Sequence, residues 1–199
     1  MEREADLVEH NLYWQADRWL ALEHRHLRED ENEIHADGLM VGAFDGAPLR
    51  LRYELECDHS WRTTAVVRVI DLNTGEHIEL QHTRVDGWRD SRVTSQAALV
   101  GAIDVDIAAT PFTNTLPIRR LKLDPEQAEE ITVVYLAVTP SLSFRPVHQR
   151  YTRLTSTPAG DRYLYESLES EFKRELIVDA DGFVLDYPGI WRRAETGAP

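Results

Sequence analysis

Hydrophobic residues along this chain recur at every second position far more often than at every third or fourth. Leu49, Leu51, Tyr53, Leu55 and Cys57 alternate with Arg50, Arg52, Glu54, Glu56 and Asp58, the mark of a strand with one dry and one wet face. Residues 61–70 form a β-branched, threonine-containing run, Asn73-Thr74-Gly75 turns the chain, and a further strand centres on Ile78-Glu79-Leu80. Asp86-Gly87 marks another turn, and residues 102–107 alternate again. Residues 131–138, ITVVYLAV, are apolar on both faces, which predicts a central strand covered on either side. Strands follow over 142–154 and 163–168, and a last hairpin pairs 172–178 with 183–187 around Asp181-Gly182, a turn pair whose twist suits adjacent strands. The pattern predicts a mostly β, mostly antiparallel protein.

Helix signals are few. Asp124-Pro125-Glu126 has an acidic cap and a first-turn proline, which predicts a helix of a turn or two before the next strand. Residues 12–27 fit two periods. Leu12, Ala16, Trp19, Leu20 and Leu27 form a helical face only if Glu23 is accepted on it, whereas Leu20, Leu22, His24 and His26 form one face of a strand. The strand reading is adopted. Residues 1 to about 9 and 194–199 read as loose polar ends of one domain spanning 1–199.

Composition narrows the function. The chain has 199 residues with Asp plus Glu at 35 and Lys plus Arg at 22, a formal charge of -13. Such a surface disfavours nucleic acid and anionic membranes as partners. No apolar stretch is long enough to span a bilayer as a helix, and Met1-Glu2-Arg3-Glu4-Ala5-Asp6 lacks the basic and apolar parts of a secretory signal. A soluble, cytoplasmic protein is expected. The lone Cys57 excludes an internal disulfide, and its place in the alternating run makes it a buried apolar residue.

One segment concentrates candidate chemistry. In 101–121, GAIDVDIAATPFTNTLPIRRL, a strand places Asp104 and Asp106 on one face and Ile103, Val105 and Ile107 on the other. Pro111 and Pro117 each remove a backbone donor and end any central strand. Thr110, Thr113, Asn114 and Thr115 offer hydroxyl and amide groups there, and Arg119 and Arg120 offer planar forks for phosphate or carboxylate.

The run DVDIAATPFTNTLPIRRL resembles the signature of a bacterial glycolipid-binding protein family. Other pieces follow in order: Trp14, Leu22-Glu23-His24, Ala36-Asp37-Gly38, Pro48-Leu49-Arg50-Leu51-Arg52-Tyr53, Cys57-Asp58, Trp61, Gly87-Trp88, Gln149-Arg150-Tyr151-Thr152 and Asp186-Tyr187-Pro188-Gly189. The resemblance spans roughly residues 12–192. It implies a large antiparallel sheet curled into a barrel-like shell around a single helix, similar to envelope carriers of lipoproteins and glycolipids. It further implies a lipid or glycolipid as ligand.

On that footing Asp104, Asp106, Thr110, Thr113, Asn114, Arg119 and Arg120 are expected to form a binding mouth. Trp14, Trp61, Trp88 and Tyr151 are expected as apolar or sugar-stacking walls, with Glu23 and His24 adding polar contacts. Replacing both arginines by alanine is expected to weaken an anionic lipid and leave thermal stability nearly unchanged. A rival reading makes Asp104 and Asp106 the acid and base of a glycoconjugate hydrolase, since alternate strand residues stand about 6.5–7 Å apart. A third is a structural partner protein with a solid core. No catalytic residue, cofactor or metal is assigned. His24 and His26 share a strand face from which Glu23 points away, Asp179-Ala180-Asp181-Gly182 lacks the later acids of a calcium loop, and Ser60, Ser91 and Ser95 lie in turn contexts without a nucleophile elbow.

Overall fold

The computed structural model describes residues 8–44, 46–83, 87–90 and 99–195. Asp86, Ser91 and Ser95, and residues 1–7 and 196–199 of the expected loose ends, lie outside the described residues, whereas Val8 and Glu9, expected to be loose, pair as strand with Glu29 and Arg28. Among the described residues the fold is one sheet of fourteen strands: β1 (Val8–Ala16), β2 (Ala21–Glu29), β3 (Ile34–Phe44), β4 (Ala47–Cys57), β5 (Thr63–Asp71), β6 (His77–Thr83), β7 (Gly87–Asp90), β8 (Asp104–Ile107), β9 (Ala128–Ala137), β10 (Ser143–Thr157), β11 (Gly160–Ser167), β12 (Lys173–Val178), β13 (Val184–Tyr187) and β14 (Trp191–Arg193). Their spatial order is β7-β6-β5-β4-β3-β2-β1-β14-β13-β12-β11-β10-β9-β8. Every pairing is antiparallel except β8 with β9. That parallel pair is joined by a helical connection, a 3-10 turn (Phe112–Asn114) running into α1 (Thr115–Leu121), as parallel neighbours need a crossover.

The helix is not where its cap signal predicted. Asp124-Pro125 forms a tight turn, with the Gln127 N–H donating to the Asp124 carbonyl and Glu126 in a left-handed conformation. α1 instead occupies the segment read as a proline-fixed loop. Pro117 is tolerated because it stands in the first turn of α1, where a backbone N–H would have no intrahelical acceptor anyway. The strand reading of 12–27 holds, with β1 and β2 paired from Val8↔Glu29 to Gln15↔Leu22.

The sheet is curled but not closed. The 3-10 segment shows the curl: Thr110 just before it meets Glu23 on β2, while Asn114 at its end meets Tyr151 on β10, and five strands separate β2 from β10 in the sheet. Inward residues from both halves, among them Trp14, Met40, Tyr53, Leu55, Val67, Leu176 and Val184, pack with Phe112, Leu116 and Ile118 into one core. At the two sheet edges, the Trp88 indole N–H on β7 donates to the Ala102 carbonyl just before β8 at 2.9 Å.

Strand direction sorts the loops into two ends. The β1–β2, β3–β4, β5–β6, β9–β10, β11–β12 and β13–β14 connections all lie at the end where β8 also finishes. The Asp106 pocket described below lies there, and the Arg119 cleft lies at the other end.

Candidate functional site

β8 carries its two aspartates into different surroundings. Asp104 is fully buried and gripped by Arg120 of α1, whose Nε and Nη2 donate to its two oxygens at 3.0 and 2.5 Å. Asp106, two residues on, accepts from the Gln149 amide at 2.6 Å and from the Thr113 hydroxyl at 3.3 Å. Burial raises both carboxyls above the usual range, against the pull of those donors.

Beyond Asp106 the chain turns at Thr110, whose hydroxyl donates to Glu23 Oε1 at 2.7 Å and accepts from the Phe112 N–H at 3.0 Å. Glu23 Oε1 also accepts from the Tyr53 hydroxyl at 2.6 Å. Tyr53 reaches it because Gly38 stands opposite on β3. A Cβ there would come within 2.2 Å of the Tyr53 ring. Burial pushes the Glu23 carboxyl up to about 7, although both hydroxyls and the charge of Arg25 oppose the shift. Arg25 is itself fully buried, with its guanidinium 3.7 Å from the Phe112 ring centroid and 5.2 Å from that of Phe183. Its nitrogens find no acceptor among the described residues, and burial pulls its pKa down to about 10. Asn114 completes the segment, accepting from the Tyr151 hydroxyl at 2.9 Å.

Asp106, Thr110 and Asn114 form the floor of a half-open pocket of about 300 Å³. Asp106, Thr110 and Asn114 line it from β8 and the turn, Tyr135, Tyr165 and Tyr187 from β9, β11 and β13, and Trp191 and Phe172 close its sides. Arg145, Ser167 and Ser170 also line it. The hydroxyls of Tyr165 and Tyr187 make no hydrogen bond to any described residue, and burial beside the Asp106 charge raises both phenols. The pocket thus offers one carboxylate acceptor, two phenol hydroxyls open to a guest and aromatic walls. Asp106 is the only carboxylate among its described lining residues.

Comparison with known proteins gives this arrangement a family. A family profile described as "Putative glycolipid-binding" matches residues 11–193. The chain belongs to that family. It is also similar to a crystal structure, at 1.80 Å resolution, of a DUF1089 family protein from Pseudomonas aeruginosa. The two share 37% identity over 86% of this chain and 92% of that one, with a TM-score of 0.72. No curated protein matches the chain.

Set against this glycolipid-binding family fold, the residues expected at one mouth divide into three groups. Asp106, Thr110 and Asn114 line the pocket, with Thr113, Tyr151 and Glu23 directly behind them through hydrogen bonds. Arg119 and Arg120 do not join them. Arg120 is committed to Asp104, and Arg119 lies 4.4 Å over the Trp61 ring and donates to the Asp181 carbonyl, at a separate cleft with Arg153 and Asp161. Asp104 is therefore a structural ion-pair partner and does not face Asp106 across a cleft.

Trp14, Trp61 and Trp88 do not line this pocket; they are core, with 0%, 3% and 1% exposure, and Trp14 donates its indole N–H to the Val184 carbonyl at 2.9 Å. His24 points outward, stacked on Tyr13 and bonded to Asn11. Strand alternation separates it from its neighbour Glu23. Among the described residues no group of three His, Cys, Asp or Glu is placed to hold a metal, and Asp179 instead accepts from the Asp181 and Phe183 N–H groups within its own turn.

Sequence reasoning missed Tyr135, Tyr165, Tyr187, Phe172 and Arg145. Each sits in an apolar strand or strand end where an aromatic or arginine reads as ordinary sheet. Only the pairing of β8 through β9, β10, β11 and β12 to β13 brings them around Asp106.

Proposed function

We propose that this protein binds a glycolipid without transforming it, and that the pocket around Asp106 receives the sugar of the head group. The observation that carries this reading is the ring of Tyr135, Tyr165, Tyr187 and Trp191 around a single carboxylate. Sugar hydroxyls donate to a carboxylate and accept from phenols, and the weakly polar faces of a sugar ring lie against aromatic rings. A space of about 300 Å³ is at the small end of ligand pockets, which suits a sugar ring or two and not a complete lipid. Family membership points to the same ligand class. One carboxylate alone does not supply the acid and base pair of a glycosidase, so binding is favoured over hydrolysis.

Native mass spectrometry of the protein incubated with a lipid extract of its source cells tests this. A discrete mass increment that fragments to a sugar is expected. The Tyr165→Phe, Tyr187→Phe double variant keeps both rings and loses both hydroxyls. It is expected to bind that ligand at least tenfold more weakly, at about 1 kcal/mol for each hydrogen bond lost. A clean unliganded mass, or unchanged binding in the double variant, overturns the reading.

A further inference from the structure

The Asp106 pocket does not end at its own rim. Ser167, Ser170 and Phe172, which line it, also line a second open space of about 450 Å³ at the β11–β12 loop, together with Glu166, Glu171 and Lys173. Phe172 is the one apolar residue of those six. It is 38% exposed, and its ring meets that of Tyr165 in the pocket edge-on at 5.9 Å. The loop is tied down on both sides. The Ser167 N–H donates to the Phe172 carbonyl at 2.9 Å, and the Leu168 N–H donates to the His148 carbonyl of β10 at 2.9 Å. Glu169 accepts from Arg145 at 2.5 Å and from the His148 N–H at 3.3 Å. The Phe172 N–H donates to the Ser170 hydroxyl oxygen at 3.3 Å, which leaves that hydroxyl's proton free. The Ser167 hydroxyl, the Glu171 carboxylate and the Lys173 ammonium have no partner among the described residues.

We propose that the head group seated in the Asp106 pocket continues outward as at least one further sugar unit, held on the β11–β12 loop with Phe172 as the wall shared by the two spaces. The proposal rests on the sugar reading of the pocket and adds the length of the glycan and the second place that holds it. The side chains themselves select the occupant. A carboxylate only accepts, an ammonium only donates and a serine hydroxyl does either, so the matching guest carries several groups that both donate and accept, as a sugar ring does. A single exposed aromatic ring matches the weakly polar face of such a ring. An acyl chain would meet one apolar residue and five polar ones. Because the loop is already fixed to β10, little ordering cost opposes binding there.

An array of mono-, di- and trisaccharides of glucose, galactose, mannose and rhamnose, probed with the labelled protein and followed by calorimetric titration of the strongest oligosaccharide, tests this second subsite. The wild-type protein is expected to bind that oligosaccharide at least about tenfold more tightly than any of its component monosaccharides, as hydrogen bonds to charged groups allow. Glu171 and Lys173 are exposed and do not line the Asp106 pocket. The Glu171→Ala, Lys173→Ala double variant is therefore expected to lose this advantage and to bind the monosaccharides unchanged. Equal wild-type affinity for the oligosaccharide and its components overturns the second subsite and leaves the sugar reading standing. An advantage that survives the double variant places the added sugar elsewhere and overturns it as well. Absence of binding by every di- and trisaccharide also overturns it, while the mass increment and the Tyr165→Phe, Tyr187→Phe variant decide the sugar reading separately. Should the double variant not fold, the wild-type comparison alone decides.

Discussion

Glu23 is a carboxyl group held where water does not reach, and that makes it titrate in the physiological range. Its oxygen accepts from two hydroxyls, Tyr53 on β4 and Thr110 next to the pocket, so its ionisation state bears on the geometry of the pocket floor. The direction of the coupling to stability is fixed by where the proton sits. The group titrates near 4.5 when unfolded and near 7 when folded. Between those values the folded chain holds a proton the unfolded chain has lost, so this group's contribution is full below about pH 4.5 and is lost as pH rises through 7. The loss amounts to about 3 kcal/mol. Glu23→Gln keeps an oxygen to accept from both hydroxyls and cannot ionise. Its melting temperature is expected to match the wild type near pH 4 and to exceed it increasingly up to pH 8, read by thermal denaturation at stepped pH. Asp104 and Asp106 are raised in the same sense, so a residual slope remains in the variant. Parallel pH profiles for the two proteins would show that the carboxyl stays ionised in the folded state.

α1 is anchored at its two consecutive arginines in opposite ways. Arg120 clasps the fully buried Asp104 and so ties the helix to the edge strand β8, whereas Arg119 lies over Trp61 and reaches a surface carbonyl. Arg120→Ala leaves a buried carboxylate without its partner and is expected to cost about 3–5 kcal/mol. Arg119→Ala, at a more exposed position, should cost about 1 kcal/mol or less. Urea denaturation of the two single variants checks this, and equal costs would mean that Arg120 does not support the helix. The sequence expectation that both could be removed with thermal stability nearly unchanged is at odds with the Arg120–Asp104 pairing, because i and i+1 on a helix face different neighbours and a loop reading carries no such phase. Alternation along the strands made most of the sheet legible, including the last hairpin at Asp181-Gly182. The helix was hidden because Pro111 and Pro117 look like breakers when their places, at the cap of the 3-10 turn and in the first turn of α1, are unknown, while Asp124-Pro125 imitates a cap. The pocket was half legible. Asp106, Thr110 and Asn114 come from one local segment, but the tyrosines come from strands up to 81 positions away along the chain (Asp106 to Tyr187), and only tertiary pairing assembles them.

A curled sheet that does not close leaves two edges, and edges invite pairing with other chains. Here the edges approach each other on one side of the shell, where the Trp88 indole on β7 bonds the Ala102 carbonyl leading into β8. The Asp106 pocket lies away from this bond, at the end of the shell where β8 finishes, whereas Ala102 precedes β8. The seam is thus placed to hold the shell's shape without occupying the pocket. Trp88→Phe preserves an aromatic ring of slightly smaller size and removes the indole donor, leaving the buried carbonyl unmatched at a cost of about 1–3 kcal/mol. Because the bond joins the two ends of the fourteen-strand order, the effect should be local to those ends. Hydrogen exchange is expected to speed up in β6, β7 and β8 and to stay unchanged in β10–β12, which pair with neighbours on both sides. Uniform loss of protection across the sheet would instead mean that the shell opens as one cooperative unit, with the seam as its weakest point.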